Sequence, residues 1–184
     1  VVTIPLDNVT DAPLEVSTTQ IGRTGFVGQP LSDGTFTVAS GGTDTLQYTV
    51  TDDADWLEVT PATGSVGSQP QSLTISYSPQ DLKPGLYNAA ITVSSEQAYN
   101  SPQTISVELN IQTAAADLDR DGDVDMSDFG RMQNCLSGPY NNQSDPACQA
   151  AKLDTDDDVD DKDVDALKDC LSGTSVSPDP ACAG

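Results

Sequence analysis

The sequence predicts two domains, an all-β two-sheet sandwich followed by a small α-helical domain. Three observations carry this reading. Apolar residues alternate with polar ones in several runs before residue 113. After it, an aspartate-rich loop followed by a helical stripe occurs twice. Between the two, the composition breaks sharply. Of the 29 acidic side chains, 17 fall in residues 114–184 and every one of these is aspartate, and all four cysteines lie there too. Glutamate is confined to the first 113 residues. The small, uncharged stretch QTAAA at 112–116 marks the seam. The expected domains are therefore 1–113 and 114–184, joined by a short linker.

The first domain is rich in Val, Thr, Ile and Ser, with turn signals every 8 to 12 positions. Leu46, Tyr48 and Val50 share one face of a strand, and Leu73, Ile75 and Tyr77 share another. Tyr87, Ala89, Ile91 and Val93 form a third set, and Ile105, Val107, Leu109 and Ile111 a fourth. Period-two alternation buries one face and wets the other. Turns are expected at Ser40, Gly41 and Gly42, at Thr51, Asp52 and Asp53, across 61–67, and at Lys83, Pro84 and Gly85. Antiparallel strands with short turns in about 100 residues point to an immunoglobulin-type sandwich, with the lone tryptophan, Trp56, in its core. At the N-terminus, Val1 to Ile4 and residues 14–19 are short β-like runs. They either complete this sandwich or, for an N-terminal strand, pair with an edge in a neighbouring subunit.

The stretches DADWLEVTPATGSV (53–66), LKPGLYNAAITVSS (82–95) and SPQTISVELNI (101–111) resemble a bacterial immunoglobulin-like module of the BACON type, over roughly residues 30–112. The resemblance implies an extracellular, non-catalytic module, with carbohydrate or mucin as a possible ligand class. A spacer role with Trp56 as a plain core residue is the blander reading of the same residues.

The second domain is an internal duplication. Residues 118–128 align with 153–163 at an offset of 35, and the alignment continues into the CLSG segments beginning at Cys135 and Cys170. One residue is then lost, and DPAC at 145–148 matches DPAC at 179–182. In the first copy Asp117, Asp119, Asp121, Asp125 and Asp128 occupy positions 1, 3, 5, 9 and 12 of a twelve-residue loop, with Gly122 at position 6. Asp123 at position 7 is expected to offer its backbone carbonyl, and Val124 at position 8 is an apolar anchor. This is the EF-hand spacing. Ca²⁺ takes six or more oxygens, and alternate residues of a tight loop aim their side chains inward. The second copy keeps Asp154, Asp156, Asp160 and Asp163, with Asp158 at the backbone position. It has Lys152 at position 1 and Asp157 at position 6, where aspartate can adopt positive φ more readily than most residues, at some cost. An ammonium competes with a cation, so a second, weaker calcium site is expected there.

Each loop leads into a helix. Phe129, Met132 and Leu136 form one apolar stripe and Val164, Leu167 and Leu171 the other, with Gly138 and Gly173 expected at the C-terminal stops. So small a core needs staples. Four cysteines allow three pairings, and the repeat favours Cys135 with Cys148 and Cys170 with Cys182. Zinc-type thiolate ligation is disfavoured by the lack of C-x₂-C spacing.

Residues 115–182 resemble a type I dockerin: two loop–helix calcium motifs in tandem, with no incoming helix before either loop. The resemblance implies calcium-dependent docking to a cohesin, itself a β-sandwich. It also implies partner choice at loop positions 10 and 11, here Met126 and Ser127 in one copy and Asp161 and Lys162 in the other. The two copies differ at these positions, which speaks against a symmetric two-way docking mode.

Charge and composition restrict the function. Seven basic residues against 29 acidic ones give a formal charge of -22, which repels nucleic-acid phosphates and anionic membranes. The absence of histidine removes Ser-His and Cys-His nucleophile pairs. No stretch reaches the ~20 apolar residues of a membrane helix. A start at Val1 fits a mature product whose export signal has been removed, or simply a chosen boundary. The even cysteine count favours an oxidising compartment, and hence a secreted or cell-surface bacterial protein. An enzyme is not expected. Three readings follow: a calcium-binding subunit that self-assembles head to tail or by N-terminal strand donation, an accessory protein docking onto a cohesin-bearing scaffold, and a carbohydrate-binding adhesin.

Overall fold

The computed structural model of the 184-residue chain describes residues 12–179 and Cys182. The run from Val1 to Ile4 lies outside the described residues. The chain forms two compact units. One comprises the described residues up to Arg23, Pro30–Ser78 and Leu86–Leu109, and the other Thr24–Gln29, Pro79–Gly85 and the described residues from Asn110 onward.

Among the described residues nine strands make a two-sheet β-sandwich: β1 (Leu14–Val16), β2 (Gln20–Phe26), β3 (Gly34–Ser40), β4 (Leu46–Asp52), β5 (Leu57–Thr60), β6 (Thr63–Val66), β7 (Gln71–Tyr77), β8 (Gly85–Ser94) and β9 (Gln103–Gln112). One sheet has the order β1-β3-β7-β5 and the other β2-β9-β8-β4-β6. Leu14 to Val16 pair antiparallel with β3 of this same chain.

The alternation seen in the sequence sets the buried face. Leu46, Tyr48 and Val50 are buried along β4, and Leu73, Ile75 and Tyr77 along β7. Ile105, Val107, Leu109 and Ile111 are buried along β9. On β8 only Ile91 and Val93 are fully buried, while Tyr87 and Ala89 stay half-exposed. Trp56 is buried just before β5, and its carbonyl accepts from Ser78 N at 2.8 Å.

The segment 61–67, expected as a turn, contains β6, which pairs with β4 in a register that sets Gly64 opposite Tyr48. A Cβ at Gly64 would lie 2.6 Å from the Tyr48 hydroxyl, so the ring lies across the bare glycine backbone. Gly34 serves Tyr77 in the same way, at 2.9 Å.

The second unit carries α1 (Met126–Cys135), a 3₁₀ helix (Pro146–Ala151) and α2 (Asp161–Asp169). Its core is formed by Val124, Met132, Val159 and Leu167, with small residues Ala114, Ala116 and Ala151 around them. Disulfides join Cys135 to Cys148 and Cys170 to Cys182, one within each repeat.

Two expectations are corrected here. Leu136 and Leu171, the third members of the helical stripes, lie just past the helix ends and are 47% and 48% exposed. Gly138 and Gly173, at φ 82° and 91°, lie beyond the caps at Leu136 and Cys170, so they turn the tails that follow rather than stop the helices. Among the described residues no helix is long and apolar enough to cross a membrane.

Candidate metal centre

Helix starts place the acidic side chains. Asp125 and Asp160 are N-caps in extended conformation, and each forms a capping box with the residue three further on, Asp128 or Asp163. Asp128 and Asp163 are fully buried. Asp128 accepts from Leu118 N at 2.7 Å, Asp119 N at 3.1 Å and Asp125 N at 2.8 Å. Asp163 repeats this with Leu153 N at 2.6 Å, Asp154 N at 3.2 Å and Asp160 N at 2.9 Å. These amides compensate the burial of charge that the position-12 carboxylates would otherwise suffer.

In the first loop Asp117 gathers the turn. It accepts from Arg120 N at 2.7 Å, Asp121 N at 3.2 Å and Gly122 N at 3.0 Å, and from the Thr113 hydroxyl. Drawing three successive amides inward requires left-handed backbone, which Arg120 adopts at φ 62° and Gly122 at φ 104°. Asp121 accepts from Asp123 N at 3.3 Å. Carboxylate oxygens of Asp117, Asp119 and Asp128 come within 4.8 Å of one another, as do those of Asp123, Asp125 and Asp128. Asp119 Oδ1 and Asp123 Oδ1 are buried and have no hydrogen-bond partner. Burial, and then the neighbouring carboxylates, push the Asp119 and Asp123 carboxyls above the ordinary range. Asp125 is held below it, by the Thr174 hydroxyl first and the Ser127 amide second.

The second loop keeps the layout with changed contacts. Asp154, Asp156 and Asp163 form one close group and Asp158, Asp160 and Asp163 another, again within 4.8 Å. Asp158 Oδ1 is buried without a partner, and burial raises its carboxyl. Lys162 Nζ bridges Asp154 and Asp156 at 3.5 and 3.4 Å. Lys152, at position 1, turns instead toward Asp157, 3.9 Å away.

The expected positive φ at Asp157 is not adopted: among the described residues the left-handed non-glycines are Arg120, Tyr140, Thr155 and Ser175. Lys152 at position 1 offers no carboxylate to accept the position-6 amide, as Asp117 does for Gly122 in the first loop. Asp157 presents its carbonyl to Gln143 N at 2.8 Å.

At position 7 the side chains of Asp123 and Asp158 are also in use, since one oxygen of each accepts a backbone N–H, from Ser175 and Tyr140 respectively. Sequence reasoning also passed over the hydroxyls of Thr113 and Thr174, which reach Asp117 and Asp125. The sequence signal for the tail contacts was the repeated LSG after each helix. Met126, Ser127, Asp161 and Lys162 all stand exposed at the helix starts. Hard oxygen donors clustered around buried, unpartnered carboxylate oxygens fit a divalent cation of the calcium type better than any soft metal.

No curated protein matches this sequence. Among solved structures it is similar to a GH5 xyloglucanase of Bacteroides ovatus in complex with a heptasaccharide, at 16% identity and TM-score 0.41, over 55% of this chain and 19% of that one. It is similar to the E. coli chaperone DraB at 14% identity and TM-score 0.44, over 61% of this chain and 62% of that one. The periplasmic chaperone SfaE matches at 14% identity and TM-score 0.42, over 54% and 58%. The chain spans less than two thirds of the length of each of these. No dockerin family model matches the C-terminal half. The model described as "Viral BACON domain" matches residues 14–108, from β1 through most of β9, so the module begins earlier than the 30–112 expected, and the family's description is viral rather than bacterial. Over its sandwich-forming part, the chain belongs to the viral BACON domain family.

Proposed function

We propose that residues 114–184 are a calcium-ordered module of dockerin type and that the chain is a non-catalytic extracellular assembly protein. The observation that carries the calcium reading is the set of buried oxygens without partners, Asp119 Oδ1, Asp123 Oδ1 and Asp158 Oδ1, each among carboxylates within 4.8 Å. Such oxygens are costly to bury alone, and a divalent ion supplies the missing partner. Asp117, Asp119, Asp121, Asp123, Asp125 and Asp128 would hold the first ion, and Asp154, Asp156, Asp158, Asp160 and Asp163 the second. The second site is the weaker, because Lys152 replaces a ligand and Lys162 already neutralises Asp154 and Asp156. Two intrachain disulfides fit an oxidising, secreted setting.

The assembly reading is supported by exposed side chains at the helix starts and tails: Met126 is 69% exposed and Tyr140 99%. A chain with a sandwich at one end and a sandwich-docking module at the other joins head to tail, and contacts that do not close give filaments. N-terminal strand donation is a second route to the same polymer. The exposure of Ser127, Asp161 and Lys162 beside Met126 equally favours an accessory role, docking onto a separate cohesin-like β-sandwich.

The test is electron microscopy and light scattering of the pure protein in millimolar calcium and in chelator. Calcium-dependent polymers support self-assembly. Monomers that capture a cohesin support docking, a glycan-array signal supports an adhesin, and a calorimetric titration without heat removes the calcium reading.

A further inference from the structure

Each acidic loop is gripped by the tail of the other repeat. The Val124 N–H donates to Ser172 Oγ at 3.0 Å, and the Val124 carbonyl accepts from Ser172 N at 3.0 Å and Gly173 N at 3.2 Å. In mirror fashion the Val159 N–H donates to Ser137 Oγ at 3.0 Å, and its carbonyl accepts from Ser137 N at 3.0 Å and Gly138 N at 3.2 Å. The Ser175 amide then reaches Asp123 and the Tyr140 amide reaches Asp158. Both tails take the same path, with glycines at φ 82° and 91° and left-handed Tyr140 and Ser175 at 61°. Val124 and Val159 are fully buried, so no water stands ready to replace these partners.

Val124 lies between Asp123 and Asp125, and Val159 between Asp158 and Asp160. Each valine therefore fixes two carboxylates of one close group. We infer that Ser172 and Ser137 are positioning residues for the cation loop of the opposite repeat: the tail of the second repeat sets the affinity of the first loop, and the tail of the first repeat sets that of the second. This rests on the calcium reading above. The grip is unequal. Thr174 adds a hydroxyl bond to Asp125 at 2.6 Å, and the residue 35 positions earlier is Pro139, which has no hydroxyl. The first loop is the more firmly held.

The test is a calcium titration of the full chain followed by ¹H–¹⁵N NMR, with the Gly122 amide reporting the first loop and the Asp157 amide the second. Ser172→Ala weakens binding at Gly122 about fivefold, the order expected for one lost hydrogen bond, and leaves Asp157 near wild type. Ser137→Ala does the reverse, and Ser172→Thr, which keeps the hydroxyl, restores binding at Gly122. A second measurement leaves both serines intact. In a chain carrying Asp154→Asn and Asp156→Asn, added calcium slows amide exchange at Ser172 and Gly173 more than at Ser137 and Gly138, because linkage is reciprocal. Alanine variants that weaken the loop of their own repeat, or both loops equally, overturn the inference while calcium binding stands. A wild-type chain with no calcium-dependent shift at either amide removes both.

Discussion

Replacing Gly122 by alanine concentrates several structural costs on one methyl group. The backbone there has φ 104°, a region that side-chain-bearing residues enter at a cost of about 1–3 kcal/mol. The new Cβ would meet Val27 Cγ1, a residue of the same compact unit, at 2.7 Å. Relieving that overlap costs about 1–3 kcal/mol more. Any relaxation of the turn also lengthens the Gly122 N–H bond to Asp117, now 3.0 Å. Together these give about 2–6 kcal/mol, or roughly 30- to 20,000-fold in the calcium affinity of the first loop if the strain falls on the bound state. If it falls on the fold, the same energy lowers the melting temperature of the C-terminal unit by about ten degrees or more. Calorimetric titration and thermal unfolding, with calcium and with chelator, separate these two outcomes. The paired control is Asp157→Ala, at the same loop position but without positive φ, which should change stability by less than about 0.5 kcal/mol. A Gly122→Ala chain that binds and melts like wild type would refute the assignment of a strained, crowded turn at position 6.

Lys162→Ala removes the ammonium that bridges Asp154 and Asp156, so calcium affinity at the second loop should rise, by roughly two- to fivefold in a titration; a fall would mean the lysine assists binding. Met132→Ala hollows the core of the C-terminal unit at a fully buried site and should cost about 2–5 kcal/mol, read by chemical denaturation in calcium. The pH response should change sign with calcium. Asp119, Asp123 and Asp158 have raised folded-state pKa values, so in chelator the unit gains stability as the pH falls from neutral toward the ordinary carboxylate range, and loses it as the pH rises through the raised values. With calcium bound these groups are needed ionised, and acid should destabilise; parallel melting curves in the two buffers as the pH is lowered from neutral toward the ordinary carboxylate range would contradict this.

Much of the sandwich could be read from the chain because strands with one buried face advertise it, as Leu46, Tyr48 and Val50 do on β4. Phe36 and Val38 on β3 and Leu57 and Val59 on β5 alternate just as clearly and were passed over, whereas β2 and β6 have a weak signal for a physical reason. The sheet-edge strand β2 fully buries only Gly25, and Arg23 interrupts the alternate positions Ile21 and Gly25, so it has no apolar alternation to show. At the other edge, β6 is four residues long and looks like a turn because Gly64 makes room for Tyr48. In the acidic loops the spacing of Asp117 to Asp128 was legible, since a loop that gathers its own amides is a local construction. What was not legible is what holds Val124, because Ser172 lies 48 residues away and hydroxyl-to-amide pairing leaves no periodicity. Asp157 shares position 6 with Gly122 but is not left-handed, and position 1 of its loop is Lys152, which accepts nothing.

The reciprocal grip of the tails also explains a quirk in the spelling of the duplication. The two copies keep an offset of 35 from Leu118 and Leu153 as far as Tyr140 and Ser175, whose amides both reach across to the opposite loop. By Asp145 and Asp179 the offset has become 34. The residue is dropped past the contacts that the two tails share, although in the first tail Gln143 N still reaches the Asp157 carbonyl. Up to that point an insertion or deletion in either copy would pull a serine, a glycine and an amide out of line with a valine that belongs to the other. Length is therefore shared property of the pair, and the smallest piece that can be moved into another protein intact is both repeats together.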